Sequence, residues 1–370
     1  MPTTARAAVQ RSAGSAPIIE TVTIEDPRED EVLVALKGVG ICHTDMVMRD
    51  QLLPIPLPVV LGHEGSGVVE AVGRNVTGVR PGDHVVLSFA SCGGCVSCWD
   101  HAPAYCHSWV PLNFFGQRAD GSTALVDAAG APVHSHIFGQ SSFATHALVN
   151  QRNAIAVDRD LPIQLLGPLG CGIQTGAGAV LNALKVRPGS SVAVVGAGAV
   201  GLSAVMAARI AGAGTIVALD INARRVATAQ TLGATHGYRS DRATMTEHAA
   251  AAGLAAGFDY ILDTTGIAEL CNAAIPALAP RGELALVGAY APVAGISGNA
   301  TFLMSGGRVI RGVVEGSADP ASFIPELIGY YRDGRFPFDR LIEFFNFTDI
   351  AHAIEQGESG KVIKPVLRMG

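Results

Sequence analysis

Apolar positions change their rhythm twice along the chain. Over the first 160 residues they come in short runs, at 31–37, 67–72 and 84–87, divided by turn signals such as Arg80-Pro81-Gly82-Asp83. Runs of that length between Gly and Pro predict the strands of a β domain. Past residue 161 the pattern lengthens. Residues 192–195 are a Val-rich run too short for a helix, which reads as a buried parallel strand. The Ala-rich run 199–211 has the length and propensity of a helix, and 215–219 reads as a second strand. A strand at 258–263, a helix at 268–278 and a strand at 283–287 continue the alternation, which predicts a parallel sheet joined by right-handed crossovers. From Val313 the first character returns, with helices near 323–331 and 349–356 and a last strand at 361–367. The fold class is therefore α/β. A β domain is expected over 1–172, a doubly wound parallel-sheet domain over 173–313, and a return to the first domain over 314–370. Residues 107–147 read as a loop-rich insertion.

Composition narrows the classes of function. The 370 residues suffice for two domains, and 49% hydrophobic with 16% charged residues describes a globular chain with ample core. A formal charge of −6 argues against nucleic acid or an anionic membrane as partner. The first residues, MPTTARAAVQRSAGSAP, lack the apolar core of a signal peptide, and no run is long enough to span a bilayer. A cytoplasmic setting follows as the expectation. There the seven Cys are better read as metal ligands or buried thiols than as disulfides.

The sharpest local signal is a turn at the end of the 192–195 strand. Gly196, Gly198 and Gly201 stand in G-x-G-x-x-G spacing, Val200 lies inside the motif, and Asp220 closes the next strand nineteen residues after Gly201. The first glycine makes the tight turn, the second lets backbone approach a pyrophosphate, and the third lets helix pack on strand. The helix N-terminus offers unpaired N–H groups to the anion. Asp220 can take the adenosine ribose hydroxyls and would repel a 2′-phosphate, so NAD is expected. Glycine is abundant here, at 44 residues, and chance spacing is the bland alternative. The strand, helix and terminal acid around the motif decide against it.

Two further groups carry metal chemistry. Cys92, Cys95, Cys98 and Cys106 follow C-x2-C-x2-C-x7-C. Four thiols can close a tetrahedral shell, which is the donor set of a structural zinc site. His101 and His107 beside them read as solvated loop residues. Cys42, in the run Gly40-Ile41-Cys42-His43-Thr44-Asp45, and His63, in Gly62-His63-Glu64-Gly65, are each commonplace alone, as a buried thiol and a core imidazole. Cys171 begins a segment of small residues where the two domains join, where a ligand could meet a cofactor. Cys271, on an apolar helix face, reads as a core thiol.

Together these motifs resemble the zinc-dependent medium-chain alcohol dehydrogenases, and the likeness covers essentially the whole chain. It rests on GICHTD (40–45), GHEG (62–65), the four-thiol lobe, GCGIQTG (170–176) and GAGAVG (196–201). It implies a GroES-like β domain and a Rossmann domain, with two zinc ions per subunit and NAD. It implies a catalytic zinc held by Cys42, His63 and Cys171, the two-Cys-one-His set known for alcohol dehydrogenase, with Glu64 behind the metal. Thr44 resembles the hydroxyl that takes the alcohol proton, and Thr175 the residue against the nicotinamide. His43 stands where relatives place a group near the pyrophosphate. Arg225 and Gly288 join the expected cofactor contacts, and Lys364 resembles a further phosphate contact. An alcohol bound at such a metal has its pKa lowered, and its hydride passes to the nicotinamide.

Within the family the stretches LGHEGSGVVEAVG, LNFFGQRADGSTAL and FGQSSFATHALVN are most similar to aryl-alcohol (benzyl-alcohol) dehydrogenases, with relatives acting on terpene alcohols such as geraniol close by. That implies oxidation of a primary aromatic alcohol to its aldehyde. Phe89, Trp109 and Phe138 are the expected pocket, although packing of the insertion would use them equally well. Val47 stands where many relatives end their proton relay on a His, so the relay is expected to end on His43 or water. A zinc-free dinucleotide-binding relative would lack both cysteine groups, and this chain has both. A homodimer or homotetramer is implied by resemblance.

Overall fold

The computed structural model describes residues 2–240, 244–291 and 293–370. It divides into two compact units: Met1–Gly172 with Asp319–Glu326 and Asp339–Gly370, and Ile173–Ala318 with Leu327–Phe338. The return to the first unit thus begins at Asp319, and a short piece after it packs with the second.

The first unit is built on two sheets. Thr3–Gln10 lies between Ile18–Ile24 and the short Val59–Val60, and the sheet is extended by Leu125–Asp127 and Pro132–Val133. The insertion therefore supplies an edge of this sheet, together with a short helix Trp109–Phe114. In the other sheet, the long strand Glu31–Gly40 pairs antiparallel with Gly65–Val72, His146–Asn150 and Lys364–Arg368. Its residues are mostly apolar or glycine and buried almost throughout, as a strand covered on both faces requires. Register here positions the chemistry. Val39 faces Gly65, and Gly40 N–H donates to the Glu64 carbonyl at 3.0 Å, so Cys42 and His63 leave adjacent strand ends side by side. Val366 faces Gly40, which brings Lys364 to the same end. The turn before Cys171 packs so closely on the end of His84–Leu87 that a Cβ on Gly170 would stand 1.9 Å from the Leu87 carbonyl oxygen. Only glycine fits there.

The second unit is a six-stranded, all-parallel sheet in the order His236–Arg239, Thr215–Asp220, Ser191–Val195, Phe258–Asp263, Leu278–Leu286, Val309–Gly312. Strand order reverses about Ser191–Val195, and the glycine turn lies at its carboxyl end, where such sheets bind ligands. The helix expected over 268–278 is shorter than the apolar pattern suggests. It runs Ala268–Ala274, continues as a single tight turn Ile275–Ala277, and gives way to a strand at Leu278. Pro276 and Pro280 account for this, since each removes a helical N–H donor and disfavours helix in the residue before it. Among the described residues, no helix is long and apolar enough to cross a membrane.

One buried group makes the first unit acid-sensitive. His136 is 7% exposed, and burial together with the Arg118 charge pulls its imidazole down to about 4. Between about 4 and 6.5 the unfolded chain binds the proton that the folded chain refuses, so stability falls as pH drops through that window. A shift of that size corresponds to about 3 kcal/mol. Urea unfolding of His136→Gln should show a pH slope flatter by about that amount between pH 6.5 and 4; a slope equal to wild type would contradict the assignment.

Candidate active site

The ligand atoms of Cys42, His63 and Cys171 lie within 4.8 Å of one another. Cys42 caps the short helix His43–Arg49, and that helix buries Asp45 under the site. One Asp45 oxygen meets His63 Nδ1 at 2.9 Å and accepts from Gly62 N–H at 3.0 Å, while the other accepts from Cys42 N–H at 3.0 Å. Asp45 therefore holds both ligand segments and aims the imidazole. His63 Nε2 is fully buried and has no hydrogen-bond partner. A hydrogen bond with Cys171 and the His63 charge hold the Cys42 thiol well below its usual range despite burial. Burial pulls His63 down, yet the charges of Asp45 and Cys42 outweigh it and raise its imidazole well above the usual value. A thiolate, an orphaned imidazole nitrogen and a second thiol form a set that asks for a cation in place of that proton. Zinc fits it.

Around this set the expected partners fall unevenly. Thr44 Oγ1 lies 3.8 Å from Cys42 Sγ, and His43 is exposed on the first turn of its helix. Glu64 is fully buried and accepts from Gly172 N–H at 3.0 Å. Lys364 is engaged within the site. Its ammonium, 3% exposed, donates to both Glu64 oxygens at 2.8 Å and to the Ile41 carbonyl at 3.1 Å. Those three donors are all its hydrogens, so a phosphate contact would require it to leave Glu64. Burial opposes its charge, but the carboxylate raises its pKa above the ordinary lysine value.

Phe138 stacks on the His63 ring, centroids 4.4 Å apart. Trp109 meets both Phe89, at 5.1 Å, and Phe138, at 6.2 Å, edge to face. Phe114, an aromatic of the same insertion, joins at 5.2 Å from Phe138. Phe89 and Phe138 are buried core, whereas Trp109 is only partly covered.

In the lobe, Cys92, Cys95, Cys98 and Cys106 likewise gather their sulfurs within 4.8 Å. Backbone N–H groups of Gly94, His107 and Ser108 point at three of them.

The dinucleotide turn has the shape its spacing requires. A Cβ on Gly201 would lie 1.8 Å from the Gly196 carbonyl oxygen, while one on Gly198 would meet nothing within 4 Å. The middle glycine thus leaves an open approach at the start of the helix Ala199–Ile210, which has no side-chain cap and carries Val200 in its first turn. Such a cradle suits a pyrophosphate. Asp220 accepts from Ala197 N–H and Asn222 N–H, both at 2.7 Å, which aligns its carboxylate beside the turn. Arg225 is half-buried with Nε unpartnered. Thr175 is nearly buried and donates to Glu315 at 3.4 Å. Gly288 abuts Gly266, backbone to backbone.

The chain is similar to known proteins along most of its length. Residues 28–159 match the alcohol dehydrogenase GroES-like domain, and residues 199–328 match the zinc-binding dehydrogenase family. The chain is 49% identical to geraniol dehydrogenase of Castellaniella defragrans, over 98% of this chain and 97% of that one. The chain belongs to the zinc-dependent medium-chain alcohol dehydrogenases. Its structure superposes on the benzyl alcohol dehydrogenase of Acinetobacter calcoaceticus with a TM-score of 0.96 at 44% identity, covering 100% of both chains. An alcohol dehydrogenase zinc-binding domain protein from Burkholderia ambifaria gives 0.98 at 51% identity, again over 100% of both. This alcohol dehydrogenase therefore combines the GroES-like and Rossmann folds expected from its motifs. The sequence named Asp45 only as a neighbour of Cys42 and missed Gln140. Asp45 stood three residues after a candidate ligand at the start of a helix; Gln140 offered no spacing signal.

Proposed function

We propose that this dehydrogenase oxidises primary alcohols whose carbinol carbon adjoins a π system, benzyl-type alcohols first, reversibly to the aldehyde with NAD. The observation that carries this reading is the aromatic cluster of Phe89, Trp109, Phe114 and Phe138, whose Phe138 stacks on His63. Flat rings at a metal ligand favour a flat, apolar group beside the reacting carbon. The likeness to a geraniol dehydrogenase supports a second reading, an allylic terpene alcohol in the same pocket.

Cys42, His63 and Cys171 hold the catalytic zinc in this reading, and the four-thiol lobe holds a structural one. When bound, zinc supplies the Lewis acidity that lowers the alcohol's pKa, and NAD accepts the hydride. Asp45 keeps the His63 ring turned to the metal position. Thr44 Oγ1 accepts the alcohol proton as it releases its own, which leaves to water or to the exposed His43, since Val47 carries no proton. The glycine turn and the uncapped helix hold the pyrophosphate, and Asp220 takes the ribose hydroxyls and favours NAD over NADP. None of the seven cysteines is in a disulfide, which suits the cytoplasm. The strand Val309–Gly312 ends its sheet, paired on one side among the described residues, which suits assembly with a second copy.

Initial rates with benzyl alcohol, geraniol and ethanol at fixed NAD, repeated with NADP, test the proposal. The expected order in kcat/KM is benzyl alcohol, then geraniol, with ethanol lower by about tenfold or more, as lost apolar contact implies. Preference for geraniol would select the second reading, and ethanol preferred over both would refute the π-pocket assignment.

A further inference from the structure

The segment that presents Phe138 to His63 is wound tightly: His136, Phe138 and Ser141 all sit at left-handed φ, +67°, +51° and +51°. Non-glycine residues take that conformation at a cost, and persist there when their surroundings hold them. Ser141 Oγ donates to the Val60 carbonyl at 2.5 Å, and the segment is further held by Gln140, whose side chain is buried to 2% exposure. Its Nε2 donates to the His63 carbonyl at 2.9 Å and to the Ser88 carbonyl at 3.4 Å. Its Oε1 accepts from Gly65 N–H at 3.1 Å and from Ser142 Oγ at 2.5 Å. A primary amide has two donor hydrogens and two acceptor lone pairs, and all four are used. Its orientation is fixed as well. Two carbonyls can only accept and the Gly65 N–H can only donate, so a flipped amide would face like groups at three of four contacts.

These contacts reach both arms of the metal centre. His63 and Gly65 flank Glu64 on one arm. On the other, Ser88 Oγ donates to the Gly170 carbonyl at 2.7 Å, one residue before Cys171. We propose that Gln140 is a positioning residue for the catalytic metal, its amide locking the His63 segment to the Ser88–Gly170 contact that places Cys171. The proposal rests on Cys42, His63 and Cys171 being the ligands. Gln140 touches neither metal nor substrate in this assignment; it fixes the separation and direction of two ligands. Outer-shell contacts of this kind carry a 10- to 100-fold effect on metal affinity.

The test is a zinc affinity measurement on the full chain, by competition with a chelator of known affinity, for wild type, Gln140→Met, Ser142→Ala and His63→Ala. Gln140→Met keeps the length of the side chain and makes none of the four bonds. One zinc should bind about 10- to 100-fold more weakly with the other unchanged, and the cobalt-substituted protein should show shifted d–d and thiolate charge-transfer bands. Ser142→Ala removes the hydroxyl contact alone and should shift both readouts less, in the same direction. It decides the question if Gln140→Met fails to fold. A Gln140→Met protein with a lowered Tm but wild-type zinc affinities and cobalt spectrum would overturn the proposal, as would a wild-type spectrum in Ser142→Ala. His63→Ala separates the two layers of the argument. If it loses one zinc while Gln140→Met holds both as tightly as wild type, positioning by Gln140 is wrong and the ligand set stands; if it keeps two, the ligand set is wrong and the proposal falls with it.

Discussion

His63→Ala should lower kcat/KM for alcohol oxidation by about a thousandfold or more and leave one zinc per chain. The loss follows from what the site needs. Zinc's Lewis acidity contributes several kcal/mol to such a step, and each 1.4 kcal/mol is about tenfold in rate. With the imidazole gone, two thiols remain, and the buried Asp45 loses the partner it meets at 2.9 Å. Stability should fall as well, since Asp45 is fully buried and is left with only its backbone donors, while the strands that carry the ligands stay paired without the metal. Asp45→Asn should fall between wild type and His63→Ala, at about 10- to 100-fold, since it leaves every ligand in place and weakens only the group that orients one. Steady-state rates alongside metal content check both. Full activity in His63→Ala, or a chain that keeps both ions, would remove His63 from the metal site.

What could be read before the fold was known follows from how far apart the participants lie in the chain. The glycine turn and the thiol lobe are local: the residues that share a task lie within about 30 positions, so spacing carries the geometry. The proposed catalytic ligands are not local. Cys42, His63 and Cys171 are unremarkable one at a time, and only family resemblance grouped them. In the fold, strand register and the close approach at Gly170 do so physically. Lys364 shows the limit from the other side. Resemblance implied a phosphate contact, and nothing along the chain signalled that pairing of Val366 with Gly40 delivers its ammonium to Glu64. Gln140 was invisible because its four partners come from residues 63, 65, 88 and 142, and no pattern along the chain marks an amide that is fully satisfied only in three dimensions. The helix at 268–278 was overextended for a local reason: its apolar period continued through Pro276, and backbone chemistry overrode it.

The second large effect should come from the lobe of residues 92–106, which has almost no core of its own. Only Ala104 and Cys106 are buried there, and Val96, Trp99 and Tyr105 are largely exposed. Hydrophobic burial therefore cannot hold this segment. The four sulfurs can, because a closed thiolate zinc site binds with about 10–16 kcal/mol at neutral pH, and that free energy becomes folding free energy for the segment it closes. The sulfurs differ when no ion is present. N–H groups of His107 and Cys98 bring the Cys95 thiol down to about 6, while burial pushes Cys106 up to about 12. A metal must therefore displace protons from the less acidic thiols, and retention should weaken as pH falls. Cys98→Ser, at a sulfur 3.6 Å from Cys95 and 3.9 Å from Cys92, should cost one zinc per chain and open the lobe to limited proteolysis between residues 92 and 106. Activity per catalytic zinc should fall far less than in His63→Ala, because the lobe contributes no ligand to the catalytic set. Proteolysis at wild-type rates in a chain that has lost this ion would show that packing, and not the metal, shapes the lobe.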